Sequence, residues 1–542
     1  MKQTVKYLSI AALVIVGAMS CNSLKEEIPG PDANDGTVTF TTTVGLDAST
    51  KALTSSGVKT FAAGDQIAVI YKNSSNQTVK AVSTALVAGD ITNSGKNATF
   101  TVTLTNPKAS SSVRYIYPAT MAITSISTSA TIDDAGTVNF NALATQNGSL
   151  ATLAANLDLA VFDGSLTAGA ELPASATLTN KLAILALTLK NSSGDSDLTS
   201  TITGLTLSDG TNSYAVSRSA AAGPIYVAIR PTETATITIT AVTGSSAYTK
   251  SLTGKTYAAS NGYDLRWRLT QLEGALGGYF TVSSAGKKVL FSKGNLQATY
   301  SSSSWSWAFA ANQWDYIGRS SGNVYINGNG TVSGSPSTMD LFGWVGASST
   351  VLTTAPAMYG VSNSTTNNDY GNKNNEALKS DWGNTVGTGW RTLTSTEWSY
   401  LLNTRGSGST VNGTANARYT LATINTNGTA VNGVIIFPNG ITVAAGEASS
   451  WGTINGSGSA WDTKCTTSQW DALAAKGCVF LPAGGSREKD SVSNYGTYGA
   501  YWTSTSSYSM IDYIHFSGSS VVTNDGQDRK YGCSVRLIYP AN

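Results

Sequence analysis

Thr99-Phe100-Thr101-Val102-Thr103-Leu104 alternates a threonine with an apolar side chain at every step. Only a strand puts successive side chains on opposite faces, so this stretch reads as a half-buried β-strand. Its β-branched threonines suit a pleated surface and a solvent-facing side. The same two-residue period recurs at Thr37 to Thr41, Gln66 to Tyr71, Ile184 to Leu189 and Thr236 to Thr240. Turn residues separate these runs, and no long amphipathic helix interrupts them before residue 270. The pattern predicts a mainly β chain built from stacked sheets.

Length and composition set the frame around that reading. With 542 residues the chain exceeds what one core supports, so several domains are expected. Only 12% of residues are charged and the net charge is +2, which leaves no concentrated basic stripe for nucleic acid. Ser, Thr, Asn and Gly supply the polarity instead, as in exposed surface proteins rich in turns.

The N-terminus carries an export message. Lys2 and Lys6 precede the apolar run Tyr7 to Ala18, too short to span a bilayer and right for a signal-peptide core. Ala18-Met19-Ser20-Cys21 then sets small residues before a cysteine, as a lipoprotein signal peptidase requires. Residues 1–20 are read as the signal peptide and 21–35 as a lipidated linker. Cys21 is the predicted lipidation site, and several acyl chains on one residue give a durable membrane anchor. The bland alternative is an ordinary cleaved signal with an incidental cysteine. Lys25-Glu26-Glu27 resembles the signal that sends some bacterial lipoproteins to the outer face of the outer membrane. The expected location is therefore the outer membrane, lipid-anchored and surface-exposed, with pili as the further location to be tested.

Chain character changes near residue 270. All 12 tryptophans lie at or after Trp267. Two helices are announced by capping boxes, Thr394-Ser395-Thr396-Glu397 and Thr466-Thr467-Ser468-Gln469. Trp398, Leu401 and Leu402 share one face of the first, and Gly477 ends the second.

Lys51-Ala52-Leu53-Thr54, Phe61-Ala62-Ala63-Gly64-Asp65-Gln66-Ile67 and Tyr115-Ile116-Tyr117-Pro118-Ala119 resemble the fimbrillin-like proteins of bacterial type V pili. So do Gln146-Asn147-Gly148, Leu178 to Leu185, and Gly254 to Tyr257 with Tyr263-Asp264-Leu265. The resemblance covers about residues 35–270. It implies two transthyretin-like β-sandwiches, 36–155 and 156–272, which assemble with other pilus subunits by donor-strand exchange. Lys51 is the implied point of proteolytic maturation. Trp390 to Thr394 with Glu397-Trp398, Val479 to Gly485, Tyr501 to Ser504 and Gly532 to Leu537 resemble the FISUMP-type domain. That domain is related to the formylglycine-generating-enzyme and C-type-lectin-like folds. The resemblance covers about 279–540 and implies an α+β C-type-lectin-like domain over 279–542.

Chemistry is weighed residue by residue. Cys465, Cys478 and Cys533 form an odd set outside the cytoplasm, predicting one disulfide among them and one buried thiol. Cys478 and Cys533 sit in apolar strand patterns without a neighbouring base, against the copper chemistry of formylglycine-generating enzymes. His515, the chain's sole histidine, lies in an alternating strand and reads as structural. No Cys/His cluster for zinc exists, and the Glu-Pro-Asn and Trp-Asn-Asp triplets of calcium lectins are absent. Neither metal nor cofactor is assigned, and no enzymatic activity is expected. Glu397 reads as a cap and Asp340 as a turn residue. The loops Asn367 to Asn372 and Asn494 to Gly499 place aromatics among amides, the mix that sugar recognition needs. Asp369, Tyr495, Tyr498 and Trp502 are accordingly the candidate ligand-binding residues, for a carbohydrate or protein on another surface. The predicted role is a tip adhesin of a type V pilus that accepts a donor strand and keeps its strand Val535 to Ile538 inside the lectin-like domain. The alternative is a stand-alone surface lipoprotein outside any fibre.

Overall fold

The computed structural model describes residues 36–46, 60–301, 304–318, 325–326, 332–333, 338–344, 382–426, 428–456, 458, 460–488, 491–507, 510–528 and 531–541. Cys21, Lys51 and Asp369 lie outside the described residues. The chain is mainly β, as the alternating runs require.

The first sandwich is an eight-stranded sheet folded round one core. Its order is Thr78–Val82, Ala68–Lys72, Ser112–Tyr117, Ala160–Ser165, Ser175–Asn180, Thr37–Leu46, Asn97–Thr105 and Ile91–Thr92. The stretch Asn97–Thr105 buries alternate residues, so Phe100, Val102 and Leu104 face the core while their threonine neighbours face outward. Each apolar side chain buried this way contributes roughly 1.5–3 kcal/mol. Phe61 packs edge-on against Phe100 and Tyr117 across that interior.

A second eight-stranded sheet follows, ordered Ile225–Ile229, Ala183–Asn191, Gly262–Gln271, Ala247–Tyr257, Thr232–Val242, Gly204–Ser208, Ser213–Ser217 and Thr145–Gln146. The boundary expected at 155/156 is crossed in both directions. Ala160–Ser165 and Ser175–Asn180 return to the first sheet, whereas Thr145–Gln146 joins the second. The helix Leu150–Asn156, capped by the Ser149 hydroxyl, links the two strands on either side of the crossing. Its Leu153 and the following Leu157 and Leu159 lie in the same core as Leu205 and Ile239. Gln146 anchors the excursion, its side chain bonding both the N–H and the C=O of Ala228.

Beyond residue 279 the strands are shorter and the sheets smaller. Phe280–Thr281, Lys288–Phe291, Leu537–Pro540 and Arg391–Thr392 form one four-stranded sheet, with Leu537–Pro540 paired on both sides. Both capping boxes form. Thr394 Oγ1 accepts from the Glu397 N–H at 3.1 Å and the Glu397 carboxylate accepts from the Thr394 N–H at 3.0 Å. Thr466 and Gln469 repeat the exchange at the head of Thr467–Ala475. Ser395–Ser399 continues through a wider turn over Tyr400–Thr404, burying Trp398, Leu401 and Leu402. Gly477 stops the second helix with φ +86°, in the left-handed region that favours glycine.

This C-terminal unit is docked on the second sandwich. The Tyr279 hydroxyl donates to the Thr240 carbonyl at 2.7 Å, and Gly244 bridges to Gly277. Val242, Ala247, Tyr279, Leu290 and Ala541 share one apolar cluster across the junction.

Candidate functional site

The loop Asn494 to Gly499 is a tightly held turn. Asn494 takes φ +59° and Gly496 φ +78°, and the Asn494 carbonyl accepts from the N–H groups of Thr497 and Tyr498. The Gly496 N–H donates to the Ala483 carbonyl, and Asn432 Nδ2 donates to the Gly496 carbonyl at 2.9 Å. Gly485 must be glycine here, because a Cβ would lie 2.8 Å from the Tyr495 nitrogen. Pinned in this way, Tyr495 projects outward and is 46% exposed.

Tyr495 borders a shallow open cleft of about 450 Å³, with Trp314, Asp315, Tyr316, Thr426 and Thr429 on its other walls. Trp314 and Tyr316 lean on the core that holds Trp470 and Phe480, so their rings are fixed before any ligand arrives. Asp315 is turned by accepting from the Asn312 N–H at 2.8 Å. Burial raises the Tyr316 phenol, and nearby Tyr495 and Asp340 add to the effect. Asp340 is not merely a turn residue, because it is buried and accepts from the Ile317 N–H at 2.7 Å, holding the Trp314-to-Gly318 segment. Flat rings, hydroxyls and one carboxylate around an open cleft match a sugar face and its hydroxyl edge.

Of the expected binding residues that lie among the described residues, Tyr495 borders this cleft and Tyr498 and Trp502 do not. Trp502 is wholly buried, packs with Phe342, Tyr513 and Cys533, and donates its indole N–H to the Phe342 carbonyl. Its expected ligand role is corrected: the inward face of Tyr498–Ser507 carries it. Tyr498 is half-buried, with its hydroxyl 3.1 Å from that of Tyr513 and its ring stacked on His515 at 5.4 Å. Burial first, and then the bond to Tyr513, raises its phenol strongly. Trp314 and Tyr316 escaped the sequence reading because they lie nearly 180 residues before Tyr495 in the chain, and only their aromatic run Trp314-Asp315-Tyr316 marked them.

His515 stacks between Tyr498 and Tyr513, and its Nε2 lies 3.1 Å from an Asp525 oxygen while Nδ1 is buried without a partner. Among the described residues its ring nitrogens bond to Asp525 and to no serine hydroxyl. The predicted disulfide is corrected: Cys465, Cys478 and Cys533 are all free and buried. They serve as small core side chains, Cys465 and Cys478 in one cluster and Cys533 in another. Burial pushes the Cys465 thiol up to about 11 and the other two higher. Among the described residues no group of three or more His, Cys, Asp and Glu converges.

No family model matches the chain, and no curated protein matches it in sequence. Among solved structures it is similar to a fimbrial assembly protein from Parabacteroides distasonis, at 11% identity over 47% of this chain and 96% of that one, with TM-score 0.27. It is also similar to a fimbrial protein from Bacteroides ovatus, at 10% identity over 92% of this chain and 98% of that one, with TM-score 0.23.

Proposed function

We propose that this chain is a surface lipoprotein and pilus subunit, placed at the fibre tip, whose C-terminal unit binds a carbohydrate or protein through the Tyr495 cleft rather than catalysing a reaction. The observation that carries the pilus reading is the seat of the strand Thr37–Leu46. It is paired antiparallel to Asn97–Thr105 and parallel to Ser175–Asn180, with Val44 wholly buried. Proteolysis after Lys51 would release this strand together with everything before it, including Cys21. The vacated groove would keep two hydrogen-bonding edges and an apolar floor, ready for a strand from another subunit.

Leu537–Pro540, by contrast, is held inside its own sheet between Lys288–Phe291 and Arg391–Thr392. Donating it would break pairing on both sides. A subunit that accepts a strand while keeping this one at home suits a terminal position. Immunogold labelling of isolated surface fibres tests the placement: label confined to one end is expected. Label along the whole shaft overturns the tip position, and fibres without label favour a stand-alone surface lipoprotein.

A further inference from the structure

The polar tips of the aromatic side chains around the Tyr495 cleft are unused. Among the described residues the Tyr316 hydroxyl, the Tyr495 hydroxyl and the Trp314 indole N–H have no hydrogen-bond partner. Other rings of the same unit spend theirs on the protein. Trp344 donates to the Thr503 carbonyl, Trp451 to that of Ala445 and Tyr501 to that of Pro482. A ring held by packing with its polar tip unspent, at the edge of an open cleft, is half of a binding contact. Tyr316 and Tyr495 stand side by side there. A Cβ at Gly318 would lie 3.5 Å from the Tyr495 Cβ, and one at Gly496 would lie 3.7 Å from the Tyr316 hydroxyl.

The charge on the walls selects among ligands. Asp315 is the charged side chain that lines the cleft. Its Oδ2 accepts from the Asn312 N–H at 2.8 Å and from Asn312 Nδ2 at 3.1 Å. Its Oδ1 takes only a long bond of 3.4 Å from that same amide. A carboxylate offers about four acceptor sites, so capacity remains for the hydroxyls of a ligand. The same negative charge repels a carboxylate or sulfate brought into the cleft.

We infer that the Tyr495 cleft takes a short run of neutral hexose units from a polysaccharide, with a sugar ring against the exposed aromatic surface and hydroxyls bonded to Tyr316 and Asp315. The inference rests on the reading of this cleft as the chain's binding site and names the ligand class within it. The walls favour a sugar over a protein. An extended peptide adds itself to an open strand edge, whereas these walls are the Trp314-to-Gly318 loop, the Tyr495 turn and the end of a hairpin closed by Thr426 against Thr429. A protein interface draws on roughly 800 Å² from each partner. A cleft of about 450 Å³ is instead of small-ligand size, roughly 300–1,000 Å³.

The test is calorimetric titration of the full chain with cellotetraose, mannotetraose, galactotetraose and tetragalacturonate. At least one neutral tetrasaccharide is expected to bind, and tetragalacturonate is not. Tyr495→Ala should weaken the neutral ligand roughly tenfold through lost stacking. Tyr316→Phe keeps the ring and should weaken it roughly threefold to tenfold, the scale of one neutral hydrogen bond. Should Tyr316→Phe fail to fold, Tyr495→Ala decides alone. Tetragalacturonate binding that Tyr495→Ala abolishes would overturn the neutral-sugar inference while leaving the cleft as the adhesive site. Neutral binding unchanged in Tyr495→Ala would overturn both, because the sugar would then sit elsewhere. Affinity unchanged in a folded Tyr316→Phe, or no binding of any of the four, would overturn the inference, and capture of a matrix protein through Tyr495 would then still uphold the adhesin reading.

Discussion

Replacing Trp502 by alanine separates core from binding surface most sharply. The side chain is fully buried among Phe342, Tyr513 and Cys533, and truncating a buried tryptophan costs about 3–5 kcal/mol. The lost indole N–H also leaves the Phe342 carbonyl without that donor, so the upper part of the range applies. In a unit of this size each kcal/mol moves the midpoint by about 2–4 °C, giving a fall of roughly 10 °C. Tyr495→Ala removes a side chain that is 46% exposed and should change stability by no more than about 0.5 kcal/mol. Differential scanning calorimetry of both variants beside the wild-type chain provides the comparison. A Trp502→Ala protein that melts with the wild type would refute the core assignment. If that same protein also lost ligand binding, Trp502 would return as a binding residue.

Three further outcomes are expected. Arg391 forks onto Glu397 with both bonds at 2.7 Å, and bonds from Arg391 and Thr394 hold the carboxylate below its usual range against the opposing effect of burial. The ion pair therefore stabilises above the unfolded-state value near 4.3 and is lost as pH falls through the lower folded value. Glu397→Gln keeps the cap and should cost about 1 kcal/mol at pH 7, a difference that closes in acid when denaturant midpoints are compared across pH. Gly477→Ala would put a Cβ 2.7 Å from the Gly278 Cα at a positive φ. A loss of about 2 kcal/mol is expected by the same denaturation assay, and an unchanged midpoint would remove the close approach from the account. For the cysteines, an aromatic disulfide reagent should find none of Cys465, Cys478 and Cys533 in the folded chain and all three after denaturation. Reductant should leave the melting temperature unchanged, and a fall would restore the disulfide.

Local features of this fold were legible wherever a few neighbouring residues settle them. Thr394 with Glu397, Thr466 with Gln469, and Gly477 are such cases, because capping and helix termination act within one turn. The strand Asn97–Thr105 was legible because its period of two already says which face is buried. The partition of the sandwiches was not, because Ala160–Ser165 pairs with Ser112–Tyr117 and no local pattern names a distant partner. Trp502 misled for a related reason. A tryptophan beside Thr503 reads equally as core or as rim, and which face points inward is set by Phe342, 160 residues away. The cleft is likewise assembled from dispersed segments, and draws Trp314, Thr426 and Tyr495 together.

Binding of the full chain to a glycan and matrix-protein array, with and without calcium, beside Tyr495→Ala, tests the central claim most directly. The account predicts that the wild-type chain binds a defined set of ligands and that Tyr495→Ala loses them while melting at the wild-type temperature. An array with no specific binding, or binding that survives in Tyr495→Ala, would contradict the adhesin reading of this cleft.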